Sequence, residues 1–161
     1  MEFVGQITLL FHFIGMSLFV AIQVAGFVVG KQYKKAKNLQ EKATLLNVMR
    51  PIGLLSPVAV VIMIISGIGN MHTFQITLAD FGWLQIKLVI FTIASILGIV
   101  LGIMSKKRGT LVGMMLDGQA PADAEAMLKK YDGRIQIFSI ITPILLLAIL
   151  CLSVYGRLGG Q

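Results

Sequence analysis

The sequence predicts an all-α integral membrane protein, and three observations lead to that fold class. Hydrophobic residues make up 57% of the 161 residues and charged residues 13%, against about 25% charged residues in ordinary globular chains. Four apolar runs are each long enough to cross a bilayer as a helix: about 3–30, 51–70, 83–104 and 136–156. Because these runs lack strict alternation of polar and apolar residues, we expect residues 1–161 to form a single four-helix bundle rather than a barrel.

The basic residues are unevenly distributed among the connections. The first connection (31–50) and the third (105–135) each hold six Lys or Arg residues, whereas the second (71–82) holds none. The positive-inside rule therefore predicts both termini outside and both basic connections in the cytoplasm, in a membrane of the bacterial inner-membrane type. The same asymmetry accounts for the net charge of +7, so we expect anionic lipid headgroups, and not nucleic acid, as partners of these connections.

The first two spans are expected to continue beyond the membrane. The run at 3–30 lacks a basic n-region and is longer than the core of a signal peptide, so it is predicted to remain as a helix. In the connection that follows, apolar residues recur at helical spacing: Tyr33, Ala36, Leu39, Ala43 and Leu46. Both helices should therefore project into the cytoplasm.

The third connection predicts a short amphipathic helix on the cytoplasmic surface of the membrane. Asp117-Gly118 is typical of a turn, and Pro121 suits the first turn of a helix. The apolar face of the helix would consist of Met127, Leu128 and Tyr131. Asp132-Gly133 is expected to end it.

Two glycine pairs at small-xxx-small spacing predict close helix contacts near the cytoplasmic ends of the spans. The pairs are Gly26 with Gly30 in the first run and Gly98 with Gly102 in the third. They lie at matching heights, so we expect them to pack against each other and tighten the cytoplasmic half. Dimerisation through the same glycines is the alternative. With the cytoplasmic half tight, any cavity is expected in the outer half.

His12 is the candidate metal ligand of that outer half, about 13 Å below the membrane surface at 1.5 Å per residue. A lone histidine within a membrane has two interpretations. It forms a hydrogen bond to a neighbouring helix, or its neutral imidazole is an axial ligand of haem. Met63 and Met16 are at suitable depths for a second ligand, although Met more commonly fills gaps in a core. His72 is expected at the outer interface, too high to complete a pair of histidine ligands.

Lys87 is the candidate catalytic and cofactor-binding residue, about 7 Å below the same surface. A charged side chain in a membrane helix is costly unless it reaches water or has a partner. One interpretation is that its ammonium group extends to the interface. The other is that it binds an anionic group, such as a porphyrin propionate or a quinone oxygen, or acts as a base with a lowered pKa.

Other common catalytic motifs are missing from the chain. The sequence has no HExxH, GxSxG, CxxC or glycine-rich phosphate loop, and its single cysteine, Cys151, excludes an intrachain disulfide. No pair of carboxylates lies within the apolar runs, which argues against a transporter that relays protons through acidic residues.

The segment Trp83-Leu84-Gln85-Ile86-Lys87-Leu88 resembles the Trp-Leu-x-x-Lys-Leu segment of HemJ-type protoporphyrinogen IX oxidases, where it opens the third helix. His12 is placed similarly to the first-helix histidine of that family, which binds haem b. Copper-resistance D-like four-helix membrane proteins look similar in layout. After His12, residues 14–19 lack the aromatic- and Arg-containing stretch of the oxidases, so the resemblance implies roles for His12 and Lys87 alone.

Two functions of different classes are therefore expected from the sequence. The first is a haem- or porphyrin-binding membrane protein, either a HemJ-like oxidoreductase or an electron-transfer protein, with His12 as ligand and Lys87 as partner of a propionate or of the substrate. The second is a cofactor-free accessory or assembly subunit of a larger membrane complex, in which both residues form packing hydrogen bonds. A homo-oligomer is compatible with either function, and copper handling is a more distant third.

Overall fold

The computed structural model describes residues 2–79 and 81–158, which form four long helices running up and down. The helices are α1 (Glu2–Lys35), α2 (Leu39–Thr73), α3 (Gly82–Leu116) and α4 (Ala124–Arg157). Each has 34 or 35 residues and is therefore about 50 Å long, well beyond the ~30 Å of a bilayer core. All four are apolar and long enough to cross a membrane. The predicted all-α, four-helix membrane fold is confirmed at this level.

The two ends of the bundle differ in what they contain. We call the end with the α1–α2 and α3–α4 connections the basic end, because the Lys- and Arg-rich stretches lie there. The opposite end, where α1 begins, α4 ends and the α2–α3 connection lies, is the terminal end. Beyond the apolar runs, α2, α3 and the start of α4 continue for roughly three turns at the basic end, so the predicted extension of α2 past its span is confirmed.

The short α1–α2 connection makes these two helices neighbours. Asn38 caps α2 by accepting a hydrogen bond from the Glu41 N–H at 2.8 Å, and the Glu41 carboxylate accepts one from the Lys37 N–H at 2.8 Å. The first bond satisfies a backbone donor that a helix start otherwise leaves unpaired, and the second ties the connection to the first turn of α2. Because the cap follows α1 almost directly, the chain reverses at once and α1 packs along α2.

The α3–α4 connection includes the predicted turn, but not the predicted surface helix. Gly118 has φ +69° and follows Asp117, whose N–H donates to Gly113 O at 3.0 Å. The left-handed backbone conformation at this position favours glycine, because glycine has no Cβ. The segment expected to form a separate helix on the membrane is instead the first part of α4, which continues through Gly133 into the span. That prediction was wrong because the apolar face of this segment packs against α3 rather than against lipid.

The helices pack mainly as two antiparallel hairpins. α1 lies closely against α2, and α3 against α4. α2 and α3 join the hairpins less extensively, and α1 barely approaches α4. Within the described residues, the backbones of the diagonal pairs do not approach each other. The edge between α1 and α4 is therefore the least closed side of the bundle.

Two hydrophobic clusters hold the hairpins together. The basic-end core is built on Leu111, Val112, Ala124 and Leu128, with Leu39, Ala43 and Leu46 of α2 packed against it. The central layer is built on Phe19, Ala59 and Met63, with Phe91 of α3 and Leu146 of α4 packed against it. The central layer lies at the middle of the four apolar runs, so it joins all four helices within the membrane.

The predicted packing between the two glycine pairs is not observed. An added Cβ at Gly30, Gly98 or Gly102 would meet nothing in the described chain within 4 Å, and one at Gly26 would meet only Met49 Cε, at 3.9 Å. The prediction was wrong because α1 and α3 are diagonal partners, and the short first connection assigns α1 to α2. The close glycine contacts lie in the terminal half instead, where a Cβ at Gly15 would be 2.9 Å from Met63 Cγ.

Candidate functional site

His12 lies in the interface between α1 and α2, one helical turn from the central layer towards the terminal end. Its Nδ1 is 3.0 Å from Ser66 Oγ. An added Cβ at Gly67 would be 3.7 Å from the His12 Cε1, so the edge of the imidazole lies against a helix surface that has no side chain. Two consecutive residues of α2, Ser66 and Gly67, therefore set the position and orientation of the ring.

The hydroxyl of Ser66 lies between the ring of His12 and the backbone of α2. It is within hydrogen-bond distance of Ile62 O at 2.6 Å and of Met63 O at 3.3 Å, and can donate its single proton to either. With the proton directed there, its oxygen is able to accept a hydrogen bond from Nδ1 of His12. In that arrangement the lone pair of the imidazole is on Nε2. This is the state in which a histidine binds a metal or accepts a proton.

Met63 lies beneath this pair as part of the central layer. It is 8% exposed and in contact range of the Gly15 position on α1. Its flexible thioether side chain fills the space between the helices, which is the common role of methionine in a core. Both the hydrogen-bonded interpretation of His12 and the ligand interpretation remain compatible with these contacts.

Lys87 lies on the inward face of α3, one turn from the central layer. It precedes Phe91, which packs against the cluster containing Met63, by four residues, so the two side chains share one face of the helix. Ser66 follows Met63 by three residues on α2. Lys87 and the His12–Ser66 pair are therefore in one layer, within about one helical turn of each other in height. We call His12, Ser66 and Lys87 the polar layer.

Further towards the terminal end, two buried polar atoms have no hydrogen-bond partner within the described chain. They are Asn70 Oδ1 and Trp83 Nε1. The indole ring of Trp83 lies directly over Gly156 of α4, where an added Cβ would be 2.5 Å from the ring carbons. The packing of Trp83 on α4 was not predictable from the sequence.

The second histidine of the chain does not join the polar layer. His72 is exposed in the last turn of α2. No group of three or more His, Cys, Asp or Glu side chains suited to a metal occurs among the described residues. Two shallow surface concavities lie elsewhere, one at the α1–α2 connection and the other along Pro57 to Ile62. Neither is lined by His12 or Lys87.

A second polar cluster, which sequence reasoning missed, links the hairpins at the basic end. Arg108 of α3 lies 4.3 Å over the ring of Tyr33 of α1, and its Nη1 is 3.2 Å from Asp132 Oδ1 of α4. Lys42 Nζ of α2 is 5.3 Å from the same ring. We call these four residues the basic-end clasp. In the sequence, Lys42, Arg108 and Asp132 are typical of solvated charges. The contact becomes apparent only when the fold brings Arg108 of α3 over Tyr33 of α1.

Ser66 was also missed, although a signal for it was present. It lies three residues after Met63, on the same helical face as Met63 and Asn70. A serine in a membrane span usually bonds its own backbone, so its type alone indicated no site. Only the register between α1 and α2 brings it to His12.

Comparisons with known proteins do not place the chain in a family. No family model matches it, and no curated protein or solved structure is significantly similar to it. The resemblance to HemJ-type oxidases and to copper-resistance D-like proteins therefore stays a prediction that depends on the residues quoted above.

Proposed function

We propose that this membrane protein binds haem b or a related porphyrin, with His12 as the axial ligand. The observation that supports this function best is the Nδ1 contact of His12 with Ser66 at 3.0 Å. Histidines that bind metals almost always donate the other ring N–H to a nearby acceptor, which orients the ring and raises the basicity of the ligating nitrogen. Ser66 provides that acceptor, and Nε2 would be the ligating atom.

The donor set of the polar layer fits such a group. A single histidine is sufficient for a five-coordinate haem iron, and Lys87 on the same layer offers an ammonium group for a propionate. Opposite charges attract strongly in a low-dielectric membrane interior, so an ammonium group there would hold a carboxylate. His12 and Lys87 are on α1 and α3, whose backbones do not approach each other in the described chain. His12 and Lys87 would therefore hold the group from two different helices.

Bound haem would supply one-electron chemistry, whereas the residues of this chain would orient it and exclude water. Ser66 holds the tautomer of His12, and the central layer closes the site on its basic side. Lys87 would hold a carboxylate of the cofactor, or of a porphyrin substrate if the protein is an oxidoreductase.

The orientation in the membrane is part of the same proposal. The positive-inside rule favours both termini outside and the basic end in the cytoplasm of a bacterial-type inner membrane. Anionic lipid headgroups would contact the lysines of the basic end, such as Lys31 and Lys106, which are exposed. The polar layer would then lie in the outer half of the bilayer.

An absorption spectrum of the purified full-length protein tests the proposal. Expressed with ample haem precursor, the wild type should show a Soret band that His12→Ala removes. His72→Ala is the matched control, because His72 is exposed and outside the polar layer, and it should keep the band. Ser66→Ala should keep the band but weaken haem affinity about 10- to 100-fold, as losses of outer-shell partners do.

Two outcomes would overturn the haem assignment. One is a colourless, monodisperse wild-type protein that stays colourless when titrated with haem. The other is a band that His12→Ala leaves unchanged, which would mean that a different residue holds the iron.

The second candidate is a cofactor-free subunit of a larger membrane complex. It is favoured by the Gly98 and Gly102 positions of α3, where an added Cβ meets nothing in the described chain. Such a face allows another helix to approach closely. Purification in fixed ratio with other membrane proteins, lost in Gly102→Leu, would support this function, and a lone protein that is unaffected by the substitution would exclude it.

A further inference from the structure

The two connections at the basic end carry opposite charges. Residues 34–42, which we call the basic tip, contain four lysines and one glutamate, for a net charge of +3. Residues 117–125, which we call the acidic tip, contain three acidic residues and no Lys or Arg, for a net charge of −3. No ion pair involving either tip occurs among the described residues. Two complementary charged surfaces are therefore available to a partner.

The basic tip contains a shallow concavity of about 570 Å³. Lys35, the last residue of α1, lines it, and Ala36 and Leu45 give it apolar walls among otherwise polar residues. Glu41 is the acidic residue of this lining, and its carboxylate already accepts a hydrogen bond from the Lys37 N–H at 2.8 Å. The concavity therefore suits an occupant that brings further carboxylates to the lysines.

The concavity faces away from the acidic tip of its own chain. On α2, Leu39, Ala43 and Leu46 pack against the basic-end core, which α3 and α4 form. Glu41 and Thr44, which line the concavity, lie on the opposite side of the helix at about 100° per residue. The acidic tip of the same chain is thus behind the concavity, and the two surfaces lie on opposite sides of the bundle.

The two surfaces are nevertheless at the same height. Leu39, the first residue of α2, packs against the cluster that contains Ala124, the first residue of α4. Asp123 and Glu125 flank Ala124 and are both exposed, so they are level with the start of α2. The nearest basic residue on α4, Lys129, is about one turn closer to the apolar run. Copies inserted in the same orientation would therefore present the acidic tip of one at the level of the concavity of the next.

From these observations we infer that the occupant of the concavity is a second copy of this chain. The acidic tip of one copy, through Asp123 and Glu125, docks beside Lys34 and Lys35 of its neighbour. Complementary charge steers such an encounter and fixes its register. The contact joins two different surfaces, so its repetition from copy to copy builds a ring where the rotation closes. Confinement to one bilayer in one orientation lowers the rotational cost of association, which favours assembly through a small interface. This inference uses neither His12 nor a cofactor.

Zero-length cross-linking tests the contact directly. Full-length protein and its heavy-isotope-labelled form are mixed in equal amounts and reconstituted in phosphatidylcholine vesicles, where no anionic lipid competes for the lysines. A carbodiimide then condenses ammonium groups with carboxylates that touch them. Peptides that join Lys34 or Lys35 to Asp123 or Glu125 should form, with light–heavy pairs as frequent as random mixing of copies requires. Cross-links confined to one isotope would place the contact within a single chain and overturn the inference, and so would the absence of these cross-links.

Charge reversal tests both surfaces in a second way. One variant carries Lys34→Glu with Lys35→Glu, and the other carries Asp123→Lys with Glu125→Lys. The side chain of Asp123 makes no capping hydrogen bond that the substitution would remove. Native mass spectrometry counts the copies in each assembly. Each variant alone should assemble about tenfold less than the wild type, because like charges then face each other. An equal mixture of the two should assemble like the wild type, since each reversed tip meets its reversed partner.

Lys106→Glu with Lys107→Glu is the matched control. It changes the net charge as much as the reversal of the basic tip, but at exposed residues of α3 outside both tips, and it should assemble like the wild type. A monomeric wild type, variants that assemble as well as the wild type, or a mixture that stays monomeric would each overturn the inference. The haem assignment is read in the Soret band, so it succeeds or fails separately.

Discussion

The basic-end core and the terminal half of the bundle solve the packing problem in different ways. At the basic end, α2, α3 and α4 bury Leu111, Val112 and Leu128 in one continuous cluster, and the clasp adds a charged link from α1. In the terminal half, polar atoms and glycines are inserted between the helices. The same four helices form both ends, so the difference arises from the medium around each end, which is water or lipid.

The solvent explains that difference. Outside the membrane, burial of apolar surface drives helices together at about 25 cal/mol per Å². Within the bilayer this driving force is absent, and helices associate through close contact and polar bonds. The basic end therefore resembles the core of a soluble domain. In the terminal half the helices meet through glycine contacts and polar groups instead, and the α1–α4 edge is the least closed side of the bundle.

The largest effect is expected in the basic-end core. Leu128→Ala removes a leucine that is 6% exposed and should lower the free energy of unfolding by about 2–5 kcal/mol. Leu147→Ala is the matched control on the same helix, because Leu147 is 61% exposed on a lipid-facing surface. It should change stability little. Thermal unfolding in detergent compares the two, and equal losses would show that the basic end is no better packed than the lipid-facing surface of α4.

Substitution of glycine by valine should lower stability in the terminal half but not near the basic end, and the difference should be smaller than that for Leu128→Ala. In Gly15→Val the new side chain meets Met63 and the backbone oxygen of Ala59, and overpacking of this kind costs about 1–3 kcal/mol. In Gly102→Val, the described chain offers no collision within 4 Å of the Cβ. We expect that variant to unfold like the wild type. A large loss at Gly102, together with a change in assembly size, would show that another chain covers this face and would favour the subunit function.

The sequence was sufficient to predict the helices, because length, hydropathy and turn residues are local properties. The partners of each helix were harder, as the glycine pairs show. The pairs lie at matching heights, but height does not determine which helices are adjacent. The three-residue first connection determines it, because it makes α1 and α2 neighbours. The prediction of a separate surface helix was wrong for a related reason. The apolar face of Met127 and Leu128 fits a membrane or a protein partner equally well, and only the presence of Leu111 nearby selects the protein.

The candidate site shows the same limit. The residue types and approximate depths of His12 and Lys87 identified them as candidates. Ser66, however, acquires its role from a register between α1 and α2 that no local pattern encodes. Asn70 and Trp83 were visible as a polar and an aromatic residue at a membrane edge. Their unpaired atoms follow from packing against neighbouring helices, which depends on the whole fold.

The smallest expected effect concerns the basic-end clasp and has an unusual sign. Tyr33 is 4% exposed, and its hydroxyl has no hydrogen-bond partner in the described chain. Tyr33→Phe keeps the ring under Arg108 and removes an unpaired polar atom, so stability should be unchanged or should rise by up to about 1 kcal/mol. Tyr155→Phe, at an exposed tyrosine of α4, is the control and should be neutral. Thermal unfolding of both variants and of the wild type measures these changes in stability. If Tyr33→Phe instead lowered stability by more than the control, the hydroxyl would have a partner such as Asp132 or a buried water. The clasp would then owe part of its strength to a hydrogen bond and not to ring stacking and charge alone.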